Sequence, residues 1–527
     1  MTNFSFYKPA SLHSNRYAVL LSCLLIFLCF SYKAQFYNLP NDYIFNVLTQ
    51  KQLAKKDSSL HSGIQPYIPF FSAKYYNVAD THRIFKYIVD DPALDVVFFK
   101  HVIKVEPRNE NFKLRIDPLL NLELGKDLSD TNNRILSNNT RGFIASGYIG
   151  SKFYFETIFA ENQSRFPNYI SNNANSTTVI PGQGRWKTFK TTGYDYAFSS
   201  GFFSYQASKN LNIQVGHGKQ KIGNGYRSLL LSDNAFNYPY ARLTQQWFKG
   251  RMQYSNIYAV LMNLSPASVT STKYAERLFQ KKAASFQYLS INATKFLNIG
   301  LFQGLIWQAG DDKNNQHLSW EYFNPVIYTN ITRFGLNNKN NILAGADLKF
   351  KITNKLNVYG QIMADNLSDT AQLGNSFGYQ AGLNYFDCFG VNNLFLQMEY
   401  NFVNEGSYKN PSGIATNQSY SHYNQNLAYT PNYGQELVFI TDYKWKRFFT
   451  NIKYNYQSVP LKTNYYYTMA AINVKLGYVI NPSYNLNVMC GINYRVQNFN
   501  NFKHLNNQTS YVYFGFKTNL YNAYYDF

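Results

Sequence analysis

The stretch ILAGADLKFKITNKLNVYGQIMAD, residues 342–365, decides the fold class because two short segments in it alternate apolar and polar side chains. In residues 342–352 one face carries aliphatic, small and aromatic side chains, and the opposite face carries Asp347, Lys349 and Lys351. A period of two indicates a β-strand, in which successive side chains point to opposite sides. Residues 356–365 repeat the pattern after the turn Thr353–Lys355, so the sequence predicts a hairpin with an apolar side and a polar, partly charged side.

Similar strand pairs recur along the chain, separated alternately by tight turns and long polar loops. The clearest pairs are residues 284–292 with 297–307, 194–207 with 211–217, and 474–480 with 486–496. Counted in this way, the chain has roughly 16 to 18 strands, most of them long enough for the roughly 9–11 residues that cross a bilayer when tilted. The long loops include residues 161–192 and 403–436. Together these features predict an all-β fold, a closed transmembrane antiparallel β-barrel of about 18 strands, in which no backbone edge meets lipid.

The first 34 residues predict an export signal. Lys8 and Arg16 precede the apolar run Tyr17–Ser31, and Ala34 provides a small residue before the expected cleavage site. We expect residues 35–110 to form an N-terminal periplasmic segment that leads into the barrel, with a short helix within residues 41–62. Residues 111–527 are expected to form the outer-membrane barrel.

Composition favours a membrane or surface protein over a soluble enzyme. Phe, Trp and Tyr make up 18% of the chain and charged residues 15%, and aromatic side chains suit half-buried strands and membrane interfaces. The net charge is +21, and removing the predicted signal with its three cations and no acid leaves +18. Such a charge suits anionic polymers or lipid headgroups. We therefore expect outer-membrane lipid and surface polysaccharide as partners, and no nucleic acid.

Few residues suggest redox, metal or catalytic chemistry. After the signal only Cys388 and Cys490 remain, too few for a disulfide framework or a cysteine metal site, and whether they pair stays open. The seven histidines beyond the signal are scattered without ligand-like spacing, so we expect no metal, no cofactor and no enzymatic activity. The acidic run AGDDKNN, residues 309–315, fits a solvated loop tip.

The stretch VGHGKQKIGNGYRSLLLSDNAFNYPY, residues 215–240, raises the question of a phosphate-binding loop because it is rich in glycine and cations. Such a loop needs a strand before it and a helix after it. A strand-like segment precedes the glycines, but the residues after them contain too many turn formers for a phosphate-binding helix, and the spacing misses the P-loop pattern. The sequence instead indicates a loop that returns toward or into the barrel lumen.

Eight residues in and beside this loop are candidates for contact with an anionic glycan. Cations supply an attractive field, glycines let backbone amides approach a ligand, and tyrosine rings can stack on sugar faces. The candidates are His217, Lys219, Lys221, Tyr226, Arg227, Tyr238, Tyr240 and Arg242. The alternative is that the cations pair with inward-facing acids of the barrel and fix the loop as a plug.

The final residues, YNAYYDF at 521–527, place Tyr521, Ala523, Tyr525 and Phe527 on one face of an extended segment. Many bacterial barrels end on such an aromatic strand. We therefore expect these residues to finish the last strand of the wall.

The segment at residues 216–240 closely resembles the outer-membrane RemB family of gliding bacteria of the Bacteroidota, which is itself similar to the Wzi capsule-assembly proteins. Shorter segments agree: NTRG at 139–142, ENQSRFPNY at 161–169, FNPV at 323–326, YGQ at 359–361 and the final YYDF. After FNPVIY this chain has TNITRFG, where the family carries an Arg-Pro turn, so no role of that turn is carried over. The resemblance implies a barrel of about 18 strands at the cell surface, with a part in polysaccharide attachment or gliding.

These observations lead us to expect a non-enzymatic outer-membrane barrel with surface-exposed loops. It would take part in surface polysaccharide attachment, of capsule or exopolysaccharide, or in gliding motility, with other gliding or capsule-export components as further partners. The alternative is a diffusion porin with a basic, weakly anion-selective lumen. Whether the lumen is open or plugged separates the two hypotheses.

Overall fold

The computed structural model describes residues 43–56, 58–68, 97–107, 111–266, 279–309, 323–334, 340–366, 376–409, 419–430, 432–462, 465–518 and 522–527. The predicted signal, residues 1–34, and residues 310–315 of the expected acidic loop tip lie outside them. Within the described ranges, no helix is both long enough and apolar enough to cross a membrane.

In the described part of the chain, eighteen antiparallel strands close into a barrel, as the alternating pattern predicts. They are β3 (Phe112–Asp127), β4 (Ile135–Ile149), β5 (Phe153–Arg165), β7 (Gly193–Ser208), β8 (Leu211–Gly218), β10 (Tyr238–Trp247), β11 (Met252–Pro266), β12 (Phe279–Asn292), β13 (Leu297–Gln308), β14 (Asn341–Lys351), β15 (Leu356–Asn366), β16 (Ser376–Phe386), β17 (Leu394–Val403), β20 (Gly434–Trp445), β21 (Phe448–Lys462), β22 (Tyr465–Asn481), β23 (Leu486–Phe499) and β24 (Asn507–Lys517).

Short elements complete the described structure. They are α1 (Tyr43–Ala54), β1 (Ile64–Gln65), β2 (Ile103–Val105), α2 (Asn168–Thr177), β6 (Lys187–Phe189), β9 (Lys221–Ile222), α3 (Thr329–Phe334), β18 (Ser421–His422), β19 (Gln425–Asn426) and the 3₁₀ turns Phe248–Gly250, Cys388–Gly390 and Lys503–Leu505. The helix expected within residues 41–62 is therefore α1. Cys388 is buried, Cys490 is exposed and both are free, so the two cysteines do not pair.

The hairpin of β14 and β15 has the predicted register, in which Lys351 pairs with Asn357. Asp347, Lys349 and Lys351 are buried on the lumen side, whereas Leu348 on the outer side exposes 44% of its surface. A slip of one residue would turn the charged side chains toward lipid, where a cation near the midplane costs about 2–4 kcal/mol. The three other predicted hairpins are confirmed as β7–β8, β12–β13 and β22–β23.

The two ends of the barrel differ. At one end, the short-turn end, strands are joined by brief connections such as residues 209–210 and 446–447. At the other, the long-loop end, connections such as residues 166–192 and 404–433 are much longer. In outer-membrane barrels the short turns face the periplasm and the long loops face the outside.

Among the described residues, four segments fill the lumen. They are the N-terminal segment (residues 43–56 and 58–68), the plug (219–237), the inner loop (404–409 and 419–430) and the tail (522–527). The N-terminal segment pairs with the plug through β1 and β9, where Ile64 faces Ile222. Leu229, Leu230 and Leu231 of the plug are completely buried, and the Tyr408 and Tyr420 hydroxyls of the inner loop donate to the Leu229 and Leu230 carbonyls.

One edge of β3 pairs with two strands that are far apart in sequence, β24 and β2. β24 pairs with β3 from Asp127 down to Asn121. Further toward the short-turn end, β2 pairs with the same edge of β3, Ile103 facing Ile116. Between them, the Asp117 carboxylate accepts hydrogen bonds from the His101 ring (2.6 Å) and the Val102 amide (3.1 Å).

The expectation that residues 521–527 finish the last wall strand is wrong. β24 ends at Lys517, and the Thr518 amide donates to the Leu120 carbonyl before the chain leaves the wall. Residues 522–527 have no strand structure and lie in the lumen. The physical reason is electrostatic, because the Asp526 carboxylate forms ion pairs in the lumen with Arg227 at 3.1 Å and with Lys453 at 2.8 Å.

Candidate functional site

Two glycines let the plug lie against the wall. Gly223 has φ +139°, a conformation that L side chains rarely adopt, and a Cβ there would collide with the Gln361 side chain. A Cβ at Gly225 would collide with the Glu399 carboxylate. The glycines therefore allow the plug backbone to lie close to side chains of the wall. Wall side chains accept hydrogen bonds from plug amides, which in a phosphate-binding loop would donate to the phosphate.

Arg227 lies at the centre of a buried ion-pair network. Its Nη2 is 2.8 Å from Glu436 Oε1 and its Nε is 3.1 Å from Glu436 Oε2, which is a bidentate pair. The same Nη2 lies 3.1 Å from Asp526 Oδ1 of the tail, and Lys453 Nζ lies 2.8 Å from the other oxygen of that carboxylate. Plug, wall and tail are thus joined by charge-assisted bonds.

A second wall carboxylate holds the plug backbone. Glu399 accepts hydrogen bonds from the amides of Tyr226 (2.6 Å) and Arg227 (3.0 Å) and from the Tyr359 hydroxyl (2.8 Å). Its oxygens are therefore satisfied in the way a buried charge requires.

The charges in this network act on one another's protonation. Although burial alone would lower the pKa of Arg227, the carboxylates of Asp526 and Glu436 hold it well above its usual value. Burial alone would likewise raise the pKa of Asp526, but Arg227 and Lys453 hold it far below the ordinary 3.8. Both groups remain charged across the physiological range.

The other plug cations are held mainly by oxygen atoms of the backbone. Lys219 Nζ donates to the carbonyls of Gly182 (2.8 Å) and Asp233 (3.1 Å), and Lys221 Nζ to those of Gly225 (2.9 Å) and Tyr226 (3.1 Å). Burial lowers the pKa of Lys219 to about 8 and also lowers that of Lys221.

Arg242 on β10 is 1% exposed, and its Nη1 donates to the Pro66 carbonyl of the N-terminal segment at 2.9 Å. His61 of the same segment bonds Ser290 Oγ at 2.8 Å and the Gly250 carbonyl at 2.9 Å. Burial lowers the pKa of His61 to about 4, so its ring is neutral at physiological pH.

Of the eight predicted glycan-contact residues, Lys221, Tyr226 and Arg227 lie together, because Lys221 Nζ donates to the Tyr226 carbonyl and the Arg227 guanidinium lies over the Tyr226 ring. Seven of the eight are buried in the filled lumen. Tyr226 donates its hydroxyl to Asp526 at 2.7 Å, while Tyr238 and Tyr240 are 1% and 5% exposed. His217 is partly exposed, with its Nδ1 3.1 Å from the Ser199 carbonyl. Glycan contact by these residues stays a prediction, and their burial favours the alternative in which the cations fix a plug.

Sequence reasoning missed the acids on which the plug depends. Glu399 and Glu436 do not belong to any motif, and Asp526 belongs to the final YYDF, in which no role was predicted for the acid. Alternation along their strands could have placed Glu399 and Glu436 on the lumen face, because Gln397 and Asn401 share the face of Glu399. Nothing in the sequence indicated which loop they would meet.

A cavity of about 210 Å³ lies between the wall and the tail. Its lining comes from β3, β4, the end of β5, β7, strands β20–β24, the first turn of α2, Tyr226 of the plug and the tail. Its lining is rich in amide, cationic and tyrosine side chains, among them Arg165, Asn451, Lys475, Asn493 and Tyr513.

A second polar surface lies on the loop between β5 and β7, and we call it the outer patch. It comprises the exposed residues Asn172, Asn175, Ser176, Arg185, Lys187 and Lys190. Trp186 anchors the loop by donating its indole N–H to the Ala174 carbonyl at 3.0 Å and by an edge contact with Tyr194. Cations, amides and a hydroxyl are thus displayed on a fixed support at the long-loop end.

Comparison with known proteins shows the fold. Neither a protein family nor a curated protein matches the sequence. Among solved structures, the chain is similar to Wzi of Escherichia coli, described as an outer-membrane protein involved in group 1 capsule assembly and as a carbohydrate-binding β-barrel. The TM-score is 0.52 at 13% identity, over 92% of this chain and 99% of that one. This likeness shows a shared outer-membrane barrel fold.

Lower similarity is found to OpdK of Pseudomonas aeruginosa with vanillate and to OccAB2 of Acinetobacter baumannii. OpdK has a TM-score of 0.44 at 11% identity, over 77% of this chain and 98% of that one. OccAB2 has a TM-score of 0.42 at 11% identity, over 77% of this chain and 97% of that one.

Proposed function

We propose that this protein is a non-enzymatic outer-membrane barrel with a filled lumen that takes part in attaching surface polysaccharide, capsule or exopolysaccharide, to the cell. The observation that carries the proposal is the buried network around Arg227, which ties plug, wall and tail together across the lumen. A filled barrel suits a surface-binding role and is poorly suited to diffusion. The same observation counts against the porin alternative.

Two similarities support the polysaccharide role. The fold is shared with a barrel described as carbohydrate binding and involved in capsule assembly, and residues 216–240 resemble the RemB family. The second resemblance extends the proposal to gliding motility, in which attached surface polymer would be moved with the protein.

We place the polysaccharide contact at the outer patch rather than at the buried plug cations. Arg185, Lys187 and Lys190 are exposed at the end that carries the long loops, where an acidic polymer outside the cell can reach them. Nearby amide and hydroxyl side chains of α2 can bond sugar hydroxyls.

Conductance separates the proposed function from the porin alternative. Purified, folded protein inserted into planar bilayers should show no steady single-channel current, because the lumen is filled. Steady ohmic channels with weak anion selectivity would establish the porin and remove the proposal.

Polysaccharide binding can be tested at the outer patch. Replacing Arg185, Lys187 and Lys190 with glutamine should weaken retention of purified acidic capsule on immobilised protein, and raised salt should weaken it further. The matched control replaces three exposed cations of the short turns, Lys249, Arg251 and Lys295, with the same loss of charge. Equal binding by both triple variants would contradict the placement.

The biological role needs a deletion strain scored in parallel for capsule retention and surface spreading. Loss of both, restored by the wild-type chain and not by the outer-patch variant, is the expected result. A strain that keeps its capsule and spreads normally would contradict the proposed function.

A further inference from the structure

The cavity beside the tail has the size of a binding site for one sugar ring. Its volume is about 210 Å³, larger than the roughly 150 Å³ cavity that holds a benzene molecule in another protein. A six-membered ring with substituents therefore fits the space between the wall strands and the tail.

The lining of the cavity carries an excess of positive charge. Among the described residues, four cations line it, Arg165, Lys453, Lys475 and Lys517, against two carboxylates, Glu123 and Asp526. Both carboxylates are occupied: Asp526 meets Lys453 at 2.8 Å, and Glu123 accepts hydrogen bonds from Tyr511 at 2.7 Å and Asn138 at 3.0 Å. The remaining field favours an anionic ligand.

Arg165 supplies a cation whose donors are not engaged. It is the last residue of β5, and its side chain makes no hydrogen bond or ion pair with any of the described residues. Its Nε is buried and without a hydrogen-bond partner there. A guanidinium in this state is suited to bind a carboxylate or phosphate through two parallel hydrogen bonds.

Two asparagines offer acceptors for hydroxyl groups. Asn451 donates its Nδ2 to Asp442 at 2.9 Å, and Asn493 donates its Nδ2 to the Tyr169 hydroxyl at 3.1 Å. Each amide is thereby oriented, and its Oδ1 accepts no hydrogen bond within the described structure. The tyrosine rings in the lining, such as Tyr196 and Tyr513, add apolar faces of the kind that pack against C–H groups.

We propose that this cavity binds one sugar residue that carries an acidic group, with the acid on Arg165 and hydroxyls on Asn451 and Asn493. The choice of a sugar rather than another small anion rests on the proposed function. The acidic group is a carboxylate or a phosphate, and the two share the chemistry that a guanidinium recognises.

Calorimetry on the full, folded chain tests the proposal with three probes: glucuronate, glucose 6-phosphate and glucose. At least one of the two acids should bind, and glucose should bind about tenfold more weakly or not at all. Arg165→Gln should weaken binding of the acid by about tenfold or more, while Arg251→Gln, an exposed arginine on a short turn, should leave it unchanged. Asn493→Leu should weaken binding of all three sugars.

Three outcomes overturn the inference: glucose binding as tightly as the acids, Arg165→Gln binding as the wild type does, or neither acid binding at millimolar concentration. Binding of only one acid identifies the acidic group as carboxylate or phosphate and supports the proposal. If the acid binds but the deletion strain keeps its capsule, the cavity assignment stands and the proposed function fails. If the strain loses its capsule and no probe binds, the proposed function stands and the cavity assignment fails.

Discussion

Arg227 connects three parts of the chain that are distant in sequence, because its guanidinium meets Glu436 of β20 and Asp526 of the tail while its own backbone belongs to the plug. Arg227→Met should lower the free energy of unfolding by about 3–5 kcal/mol, since it leaves two buried carboxylates short of a partner. A denaturant titration of the protein in lipid, taken to equilibrium, measures the change in the free energy of unfolding.

Arg251→Met is the matched control for that substitution. Arg251 is exposed on a short turn, so its replacement should change the free energy of unfolding by less than about 0.5 kcal/mol. Equal destabilisation by the two variants would show that the buried network contributes no more than a surface charge.

Asp526 gives the interior a defined response to acid. A carboxyl whose pKa is lowered by folding adds stability above its unfolded pKa, here 3.8, and that stability is lost as the pH falls below this value. At a fixed heating rate, the apparent melting temperature should therefore fall as the pH drops from about 4 to 3. Asp526→Asn should melt lower at pH 7 and show a smaller fall. The interpretation is wrong if both proteins lose the same number of degrees.

At the scale of elements, we expect the plug to be the segment that closes the lumen. Replacing residues 224–236 by a short Gly-Ser linker between β8 and β10 should leave the wall intact, because strand pairing on either side is unchanged. The variant should conduct in planar bilayers, whereas the wild type should not. The same linker placed at residues 501–506, which are exposed, is the control and should stay closed; a closed plug variant would show that the other lumen segments suffice.

The wall strands could be predicted from sequence because the residues that fix the register of a strand lie within that strand. In β14, for example, Asp347, Lys349 and Lys351 must face the lumen, and the alternation of apolar and polar residues places all three on the same face of the strand. The tail could not be predicted in this way. Its alternating aromatics fit a strand equally well, and only the position of Arg227 and Lys453, on other elements, draws Asp526 inward.

The same limit applies to the candidate site. The cations of residues 217–242 could be found in the sequence, and so could the possibility that they fix a plug. The cavity could not, because Arg165, Asn451 and Asn493 come from three separate strands and converge only when the barrel closes. Its recognition depends on which donors and acceptors remain unengaged, which is a property of the folded chain.

For the whole molecule, the lipid-facing wall predicts a depth-dependent effect of charge. Ile362, in β15, exposes 62% of its surface, and Ile352, in a short turn, exposes 43%. Ile362→Lys should cost about 2–4 kcal/mol of folding free energy in a bilayer, and Ile352→Lys about 0–1 kcal/mol, because the second site lies near the interface. Folding titrations in lipid vesicles give both values, and similar costs at the two sites would argue against the assigned orientation of the wall.

The wall position that β2 and β24 share bears on how the cylinder is sealed. Contact between Ile103 and Ile116 needs only a local hairpin, whereas Tyr511 reaches Asp127 across nearly the whole polypeptide. Short-range pairing forms sooner than long-range pairing because it closes a smaller loop. If β2 docks first, it occupies the part of the β3 edge nearest the short-turn end. When β24 then pairs with β3, it cannot extend beyond Leu120, because β2 already occupies that edge. The barrel therefore closes in a single register.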